Sequence, residues 1–346
     1  KFYKRDGWYW IFAPAGGVAT GWQSVFRSRS PYGPYESRIV LEQGDTPVNG
    51  PHQGAWVDTP TGENWFLHFQ DRGLFGRVLH LQPMTWGGDG WPRMGTPRPD
   101  GRGEPAATFT APGGATTASG TRGQREPERS DDFTGTVLGP QWHWQANPQP
   151  DWATLRGDGT LRLALVAVDR GRLRQLPCVL SQQIPGRPSV VTTSLRLESE
   201  VIGARAGLLV LGVDYAWIGL VRSPAGVHLV GGRMAPAGAG DTLMHPGRVL
   251  ACPPEAAGDA PEVSVRATTG ETGLVTFSWS LDDRKTWQHL PVPFQAMPGE
   301  WIGAEIGVFA CAPTPSGGHS GGCVQGSAVF GAVEFAIQSA RGEGTS

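Results

Sequence analysis

The sequence predicts an all-β protein built as two domains, and three observations carry that expectation. At 346 residues the chain exceeds the size, about 250 residues, at which one core usually divides. Its 51 glycines and 30 prolines interrupt the chain too often for long helices. Between them lie short runs rich in Val, Leu, Trp and Phe that recur about every ten residues, the spacing of a sandwich, barrel or propeller blade.

Taken in order, residues 2–14 read as a hairpin: Phe2-Tyr3-Lys4-Arg5, the turn Asp6-Gly7, then a strand through Trp8, Tyr9, Trp10 and Ile11. Residues 22–28 form the next expected strand, Pro31-Tyr32-Gly33-Pro34 a turn, and 37–41 another short strand. A second hairpin joins 53–58 to 64–70 around Thr59-Pro60-Thr61-Gly62, and 77–82 follows it. From residue 95 to 130 the pattern dissolves into Gly, Pro, Thr, Ser, Arg and Glu, so domains are expected at 1–110 and 131–340 with a linker at 111–130. In the second domain strands are expected near 141–146, 160–166, 179–183, 189–197, 206–213, 217–222, 226–230, 262–267, 275–280 and 301–310, the count of a β-sandwich.

Charge and cysteine usage limit the partners. A formal net charge of −2 with 17% charged residues leaves neither a basic stripe nor an acidic tail, so nucleic acid is not expected. No apolar run approaches the ~20 residues of a membrane span, and a membrane partner is not expected either. The chain opens on Lys1 in a strand-like pattern, without the basic start and apolar core of a signal peptide, and is expected to begin within a fold; secreted and cytoplasmic locations both stay open. Cys178, Cys252, Cys311 and Cys323 lack the paired spacing of a zinc site and read as core or surface thiols. Cys311 and Cys323 flank the Gly-rich stretch 313–322 and could be joined in an oxidising compartment.

Of the 14 tryptophans, half precede the linker and half follow it. Their faces suit sugar rings, yet large aromatics are also ordinary core material. The acids before the linker suit turns and solvated connections: Asp6 in a tight turn, Glu36, Glu42 and Asp45 in polar connections, Asp58 and Glu63 beside a hairpin loop, Asp71 next to Arg72. There is no G-x-S-x-G elbow, H-E-x-x-H, P-loop or G-x-G-x-x-G in the sequence. One local feature stands out, Asn49-Gly50-Pro51-His52-Gln53-Gly54-Ala55-Trp56, which places a histidine at the entrance of an apolar strand as ligand, hydrogen-bonding group or structural residue.

The stretch KFYKRDGWYWIFAPAGGVATGWQSVFRSRSPYGPYE, followed by NGPHQGAWVD, NWFLHFQDRGLFGRVLHLQPM and DGWPRMG, resembles glycoside hydrolase family 43 in its β-xylosidase and α-L-arabinofuranosidase branch. The resemblance is collinear over residues 1–95. After the linker, DDFTGTVLGPQWHWQANP, SWSLDDRKTWQHL and IGVFACAP resemble the concanavalin A-like β-sandwich that follows the catalytic domain in that branch. The resemblance implies the last one to two blades of a five-bladed β-propeller followed by that sandwich. It also implies an inverting hydrolase of xylan- or arabinan-type glycans, acting on xylo- or arabino-oligosaccharides, in which an Asp base, a second Asp and a Glu acid work across the scissile bond. All three are expected upstream of Lys1, so this chain alone is expected to lack them.

Residue by residue, the resemblance makes His52 a ligand, direct or through water, of a calcium ion on the propeller axis; a hard cation prefers oxygen, so waters would complete the shell. It makes Arg77, after Phe75-Gly76, the arginine that reaches the terminal sugar, with Phe75 beside it, and it places Thr20 and Trp22 on the cleft wall. Read without it, Arg77 is a surface strand residue and Trp22 a core residue. Two departures are visible. Ser280-Leu281-Asp282-Asp283-Arg284-Lys285-Thr286-Trp287 resembles an Asp-box turn but carries Arg284 where glycine is usual, so the hairpin is expected to survive with backbone strain. Glu334 stands where an Asp is common, which puts a calcium site of Asp131, Asp132 and Glu334 in doubt. Two other readings remain: a non-catalytic carbohydrate-binding or interaction protein with a propeller remnant and a sandwich, and, from the Asp-box alone, a β-rich structural or sialidase-like protein.

Overall fold

A computed structural model describes residues 1–113, 127–169, 172–234, 241–243, 248–250 and 261–337. The core of the expected linker, 114–126, and Cys252 lie outside the described residues. The chain divides into two compact units, Lys1–Arg125 and Glu126–Ser346.

The first unit holds two four-stranded antiparallel meanders. One runs β1 (Phe2–Arg5), β2 (Trp8–Ala15), β3 (Trp22–Ser28) and β4 (Glu36–Leu41); the other runs β5 (His52–Asp58), β6 (Asn64–Asp71), β7 (Arg77–Trp86) and β8 (Pro92–Met94). Asp6 (φ 51) and Gly7 (φ 73) make the β1–β2 turn, the twisted two-residue hairpin that the Asp-Gly pair predicts. Each meander is a propeller blade, so the expected one to two blades are two. Their facing sides share a core of Trp10, Phe12, Val25, Val40, Leu41, Phe66, Met84, Trp91 and Met94. Trp10 meets Trp86 and Trp91 edge-on at 4.9 and 5.7 Å, the preferred aromatic geometry.

Order extends into the stretch that shows no pattern in the sequence. β8, β9 (Thr96–Pro97) and β10 (Gly103–Glu104) are strands of two or three residues, too short for periodicity to register. They are held by backbone bonds: Gly103 lies parallel to Leu41, the Glu42 N–H donates to the Gly103 carbonyl at 3.0 Å, and the Ala106 N–H donates to buried Gln82 Oε1 at 2.7 Å.

The second unit is a two-layer sandwich. Its strands are β11 (His143–Trp144), β12 (Ala153–Leu155), β13 (Leu161–Val168), β14 (Leu180–Gln183), β15 (Ser189–Glu198), β16 (Arg205–Leu211), β17 (Tyr215–Ser223), β18 (Gly226–Met234), β19 (Asp241–Leu243) and β20 (Arg248–Leu250). After them come β21 (Val263–Thr269), β22 (Leu274–Ser280), β23 (Gln288–His289), β24 (Phe294–Gln295), β25 (Glu305–Pro313), β26 (Cys323–Phe330) and β27 (Glu334–Ile337). One layer pairs β11-β14-β25-β16-β17-β18, the other β12-β13-β26-β15-β21-β22. β16 and β25 are buried on both faces: the side away from the second layer lies under Trp152, Leu173, Leu176 and Cys178. Their near-continuous apolar runs follow from that double burial.

Three expectations need correction. β26, a central strand between β13 and β15, gives no signal in the sequence, because Gly326 (φ 110) and Ser327 break the apolar run. The strand expected from Trp301 starts at Glu305, and Trp301 itself sits at φ 68, 75% exposed. Cys311 and Cys323 are free thiols. They pair with Val166 from opposite sides of β13, two strand spacings or roughly 10 Å apart, beyond the ~7 Å Cα limit of a disulfide.

Candidate functional site

Of the five residues singled out in the sequence, Thr20 and Trp22 lie at the β2–β3 turn, His52 opens β5, and Phe75 and Arg77 lie at the β6–β7 connection. Thr20, exposed, donates from Oγ1 to the Gly16 carbonyl at 2.8 Å and closes the turn at 16–21. The half-buried ring of Trp22 lies on Gly16, where an added Cβ would meet it at 2.4 Å. Behind them the backbones approach closely: a Cβ on Gly21 would sit 2.8 Å from the His52 ring, and one on Gly50 2.3 Å from the Val18 carbonyl oxygen. Only glycines let the turn of one blade seat against the entrance strand of the next.

His52 is 1% exposed. A bulge at Gln53 (φ 57) shifts the β5–β6 register between His52 and Ala55, re-aiming the histidine relative to the strand that follows. Buried Gln23 pins the bulge: it donates to the Ala13 and Ser24 carbonyls at 3.1 and 3.0 Å and accepts from the Gly54 N–H at 3.4 Å. His52 Nδ1 lies 2.6 Å from the Gly50 carbonyl, an acceptor only, so Nδ1 is the donor and, in the neutral ring, Nε2 keeps its lone pair. The ring abuts Phe69 at 5.6 Å, and Arg77 places its guanidinium 4.6 Å from the centre of that same ring. Arg77 faces Asp71 in register across β6 and β7. Phe75 lies in the 3-10 turn Gly73–Phe75 that leads into Arg77 through Gly76. The structure thus links His52, Phe69 and Arg77 in one contact chain, with Thr20 and Trp22 ordering the neighbouring turn.

Two further histidines escape a linear reading. His68, 2% exposed, stacks on Phe66 at 5.9 Å and on His80 at 5.4 Å with only 12° between the imidazole planes. Burial pushes His68 down to about 4, so it is neutral at ordinary pH; its Nδ1 lies 3.1 Å from the Phe69 carbonyl and its buried Nε2 has no partner. His80 is also lowered, by burial first and by Arg72 second, and engages Gln70 Oε1 at 3.2 Å, while Gln70 Nε2 donates to the Pro47 carbonyl at 2.7 Å. A signal exists in the sequence: Leu67-His68-Phe69-Gln70 and Leu79-His80-Leu81-Gln82 repeat one pattern on adjacent strands.

Glu36, expected in a polar connection, instead opens β4. Asp6 sits in its turn, Glu36 pairs with Arg27, Glu42 with Arg98 and Arg102, and Asp89 with Arg38 and Arg93; Glu63 accepts from Thr59 and Thr61, and Asp71 from the Gly73 N–H. For a metal, His52 Nε2 supplies one donor, while among the described residues no three His, Cys, Asp or Glu gather. A calcium shell rich in oxygen is therefore not made up by these side chains alone. In the sandwich, Asp131 accepts from Trp142 Nε1 at 2.8 Å, Asp132 from Thr134 at 2.7 Å, and Glu334 from Arg284 at 2.6 Å, so the three carboxylates serve separate partners. The Asp-box turn is formed: Asp282 accepts from Thr286 Oγ1, the Thr286 N–H and Ser280 Oγ, which hold its carboxyl down at about 2, and Arg284 takes the glycine position at φ 65.

Residues 1–92 match the model of glycosyl hydrolases family 43, and residues 130–320 that of the beta xylosidase C-terminal concanavalin A-like domain. Blades and sandwich together are the domain pair of one family. The chain belongs to glycoside hydrolase family 43 and carries the concanavalin A-like C-terminal domain of its β-xylosidases. A Xylanibacter ruminicola protein assigned as a beta-xylosidase is 42% identical over 235 residues, covering 67% of this chain and 43% of that protein. A non-reducing end alpha-L-arabinofuranosidase of Bacteroides ovatus is 29% identical over 182 residues, covering 49% of this chain and 32% of its own length. The crystal structure of a xylan beta-1,4-xylosidase from Bacillus halodurans superposes with a TM-score of 0.74 over 97% of this chain and 64% of that one, at 21% identity, and shows the shared fold. The chain spans less than half the length of these curated relatives.

Proposed function

We propose that this chain forms the distal wall of the sugar cleft, together with the accessory sandwich, of an inverting glycosidase. Its substrates would be terminal xylose or arabinose units of xylan- or arabinan-type glycans. The observation that carries this reading is the chain of contacts from His52 through Phe69 to Arg77 at the end where two blades meet. Arg77 presents a planar, permanently charged fork on an aromatic face, suited to paired contacts with vicinal hydroxyls or with a carboxylate. His52, its ring fixed by Gly50, would lend Nε2 to a calcium ion directly or through water. Glu36, Glu42 and Asp89 of the first unit are held in ion pairs and Asp71 in a turn, which supports a base and an acid supplied from outside these 346 residues.

In the full-length gene product Arg77→Ala is expected to lower kcat/KM on a nitrophenyl β-xyloside or α-arabinofuranoside by about 10- to 100-fold, the loss for one charge-assisted contact, with the melting temperature kept. Wild-type kcat/KM in that variant would sink the assignment. The committed acids also favour a second reading, in which this chain alone binds glycans without cleaving them. Release of xylose or arabinose by the chain alone would rule that out.

A further inference from the structure

Glu305 opens β25 in the middle of the sandwich, opposite Gln183 on β14 and Leu211 on β16, and is only 4% exposed. A carboxylate in such a place must be satisfied by donors. Three side chains supply them: His143 Nε2 at 2.7 Å, Ser181 Oγ at 3.1 Å, and Gln145 Nε2. Of this cluster, His143 and Glu305 line a cavity of about 440 Å³, within the range of small-ligand sites, whose walls include Arg129, Gln141, Gln182, Gln183 and Ile302. Two buried polar atoms of these walls have no partner, Arg129 Nε and Gln182 Oε1, although Gln182 is 2% exposed and its Nε2 donates to the Arg129 carbonyl at 2.7 Å.

The chemistry of the walls narrows the ligand. Ser181 and Glu305 both address the same nitrogen of His143, Ser181 at 3.2 Å, so serine, histidine and carboxylate are not strung in the order a nucleophilic relay requires. A metal ion would need a third His, Cys, Asp or Glu, and among the described residues no such group gathers. An anion would meet two carboxylates, Glu128 and Glu305, against one Arg129. What remains is a neutral ligand that both donates and accepts hydrogen bonds, matching the mix of amide, guanidinium and imidazole groups. Sugar hydroxyls do both, and Ile302 offers an apolar edge for a ring face.

We propose that the second unit holds a binding site for one or two rings of a neutral pentose glycan in the cavity walled by His143, Glu305, Arg129 and Gln182. The choice of pentose rests on the glycosidase reading above; the site itself rests on the cavity. The test is calorimetric titration of the whole chain with xylobiose and with arabinobiose, using His143→Ala and the near-isosteric Glu305→Gln. Each is expected to weaken binding at least ten-fold with the unfolding transition of the second unit retained. His143 is nearly half exposed, so its truncation keeps the test open if the Glu305 variant fails to fold. Absence of saturable binding, or binding indifferent to His143→Ala, overturns the proposal. Binding abolished by Arg77→Ala instead places the sugar on the first unit and leaves the glycosidase reading standing.

Discussion

His68 in the first unit and His143 in the second both sit on strands and both engage an oxygen, but their surroundings are opposite. His68 is walled in by Phe66 and His80, bonds to a backbone carbonyl, and is kept neutral by burial. His143 is 45% exposed and bonds through Nε2 to a carboxylate that is itself nearly inaccessible. A buried imidazole without a counter-charge serves as a flat spacer between strands. One whose direction is fixed from beneath by a buried carboxylate turns its other edge outward, where a ligand can meet it.

The sharpest way to break this contrast is Phe66→Ala, which removes the ring under His68 from the core that the two blades share. It is expected to cost the first unit about 3–5 kcal/mol, seen in chemical unfolding as an earlier first transition with the sandwich transition unmoved. A common shift of both transitions would show the units are not independent.

Acid comes next. Because the folded His68 titrates at about 4 against an ordinary 6.5, its contribution is fully present above pH 6.5 and is lost as pH falls towards 4, when the unfolded chain takes up the proton first. About 3 kcal/mol of first-unit stability should fade across that window, and His68→Leu should flatten the profile. An unchanged slope in the leucine variant would move the effect elsewhere.

Glu305→Ala, which strands three donors, should cost the second unit about 1–3 kcal/mol in thermal unfolding. The smallest effect is expected for Arg284→Gly. Relief of the positive φ, worth about 1 kcal/mol, offsets loss of the partly exposed pair with Glu334, so the net change should stay within about 1 kcal/mol.

Much of the fold was legible because it rests on local rules. The Asp6-Gly7 turn, the alternation of β2, β3 and β6, and the Asp-box with its strained Arg284 are all decided within a few residues. β8 to β10 and β26 were not: β8 to β10 are only two or three residues long, and β10 and β26 are held by backbone bonds to distant strands where side chains carry no pattern. In the site, His52 stood out through its glycine-rich setting, and the structure explains that setting by the close approach of Gly21 and Gly50. His68 and His80 became neighbours only through the β6–β7 register. Glu305 was read as part of an apolar strand, because its three donors come from positions more than a hundred residues away in sequence.

The placement of Cys311 and Cys323 on either side of Val166 bears on where such a protein can operate. Their separation keeps these two thiols of the sandwich from bridging each other, so neither an oxidising exterior nor a reducing cytoplasm adds a covalent link between β25 and β26. The melting temperature of the sandwich is expected to be the same with and without a reducing agent.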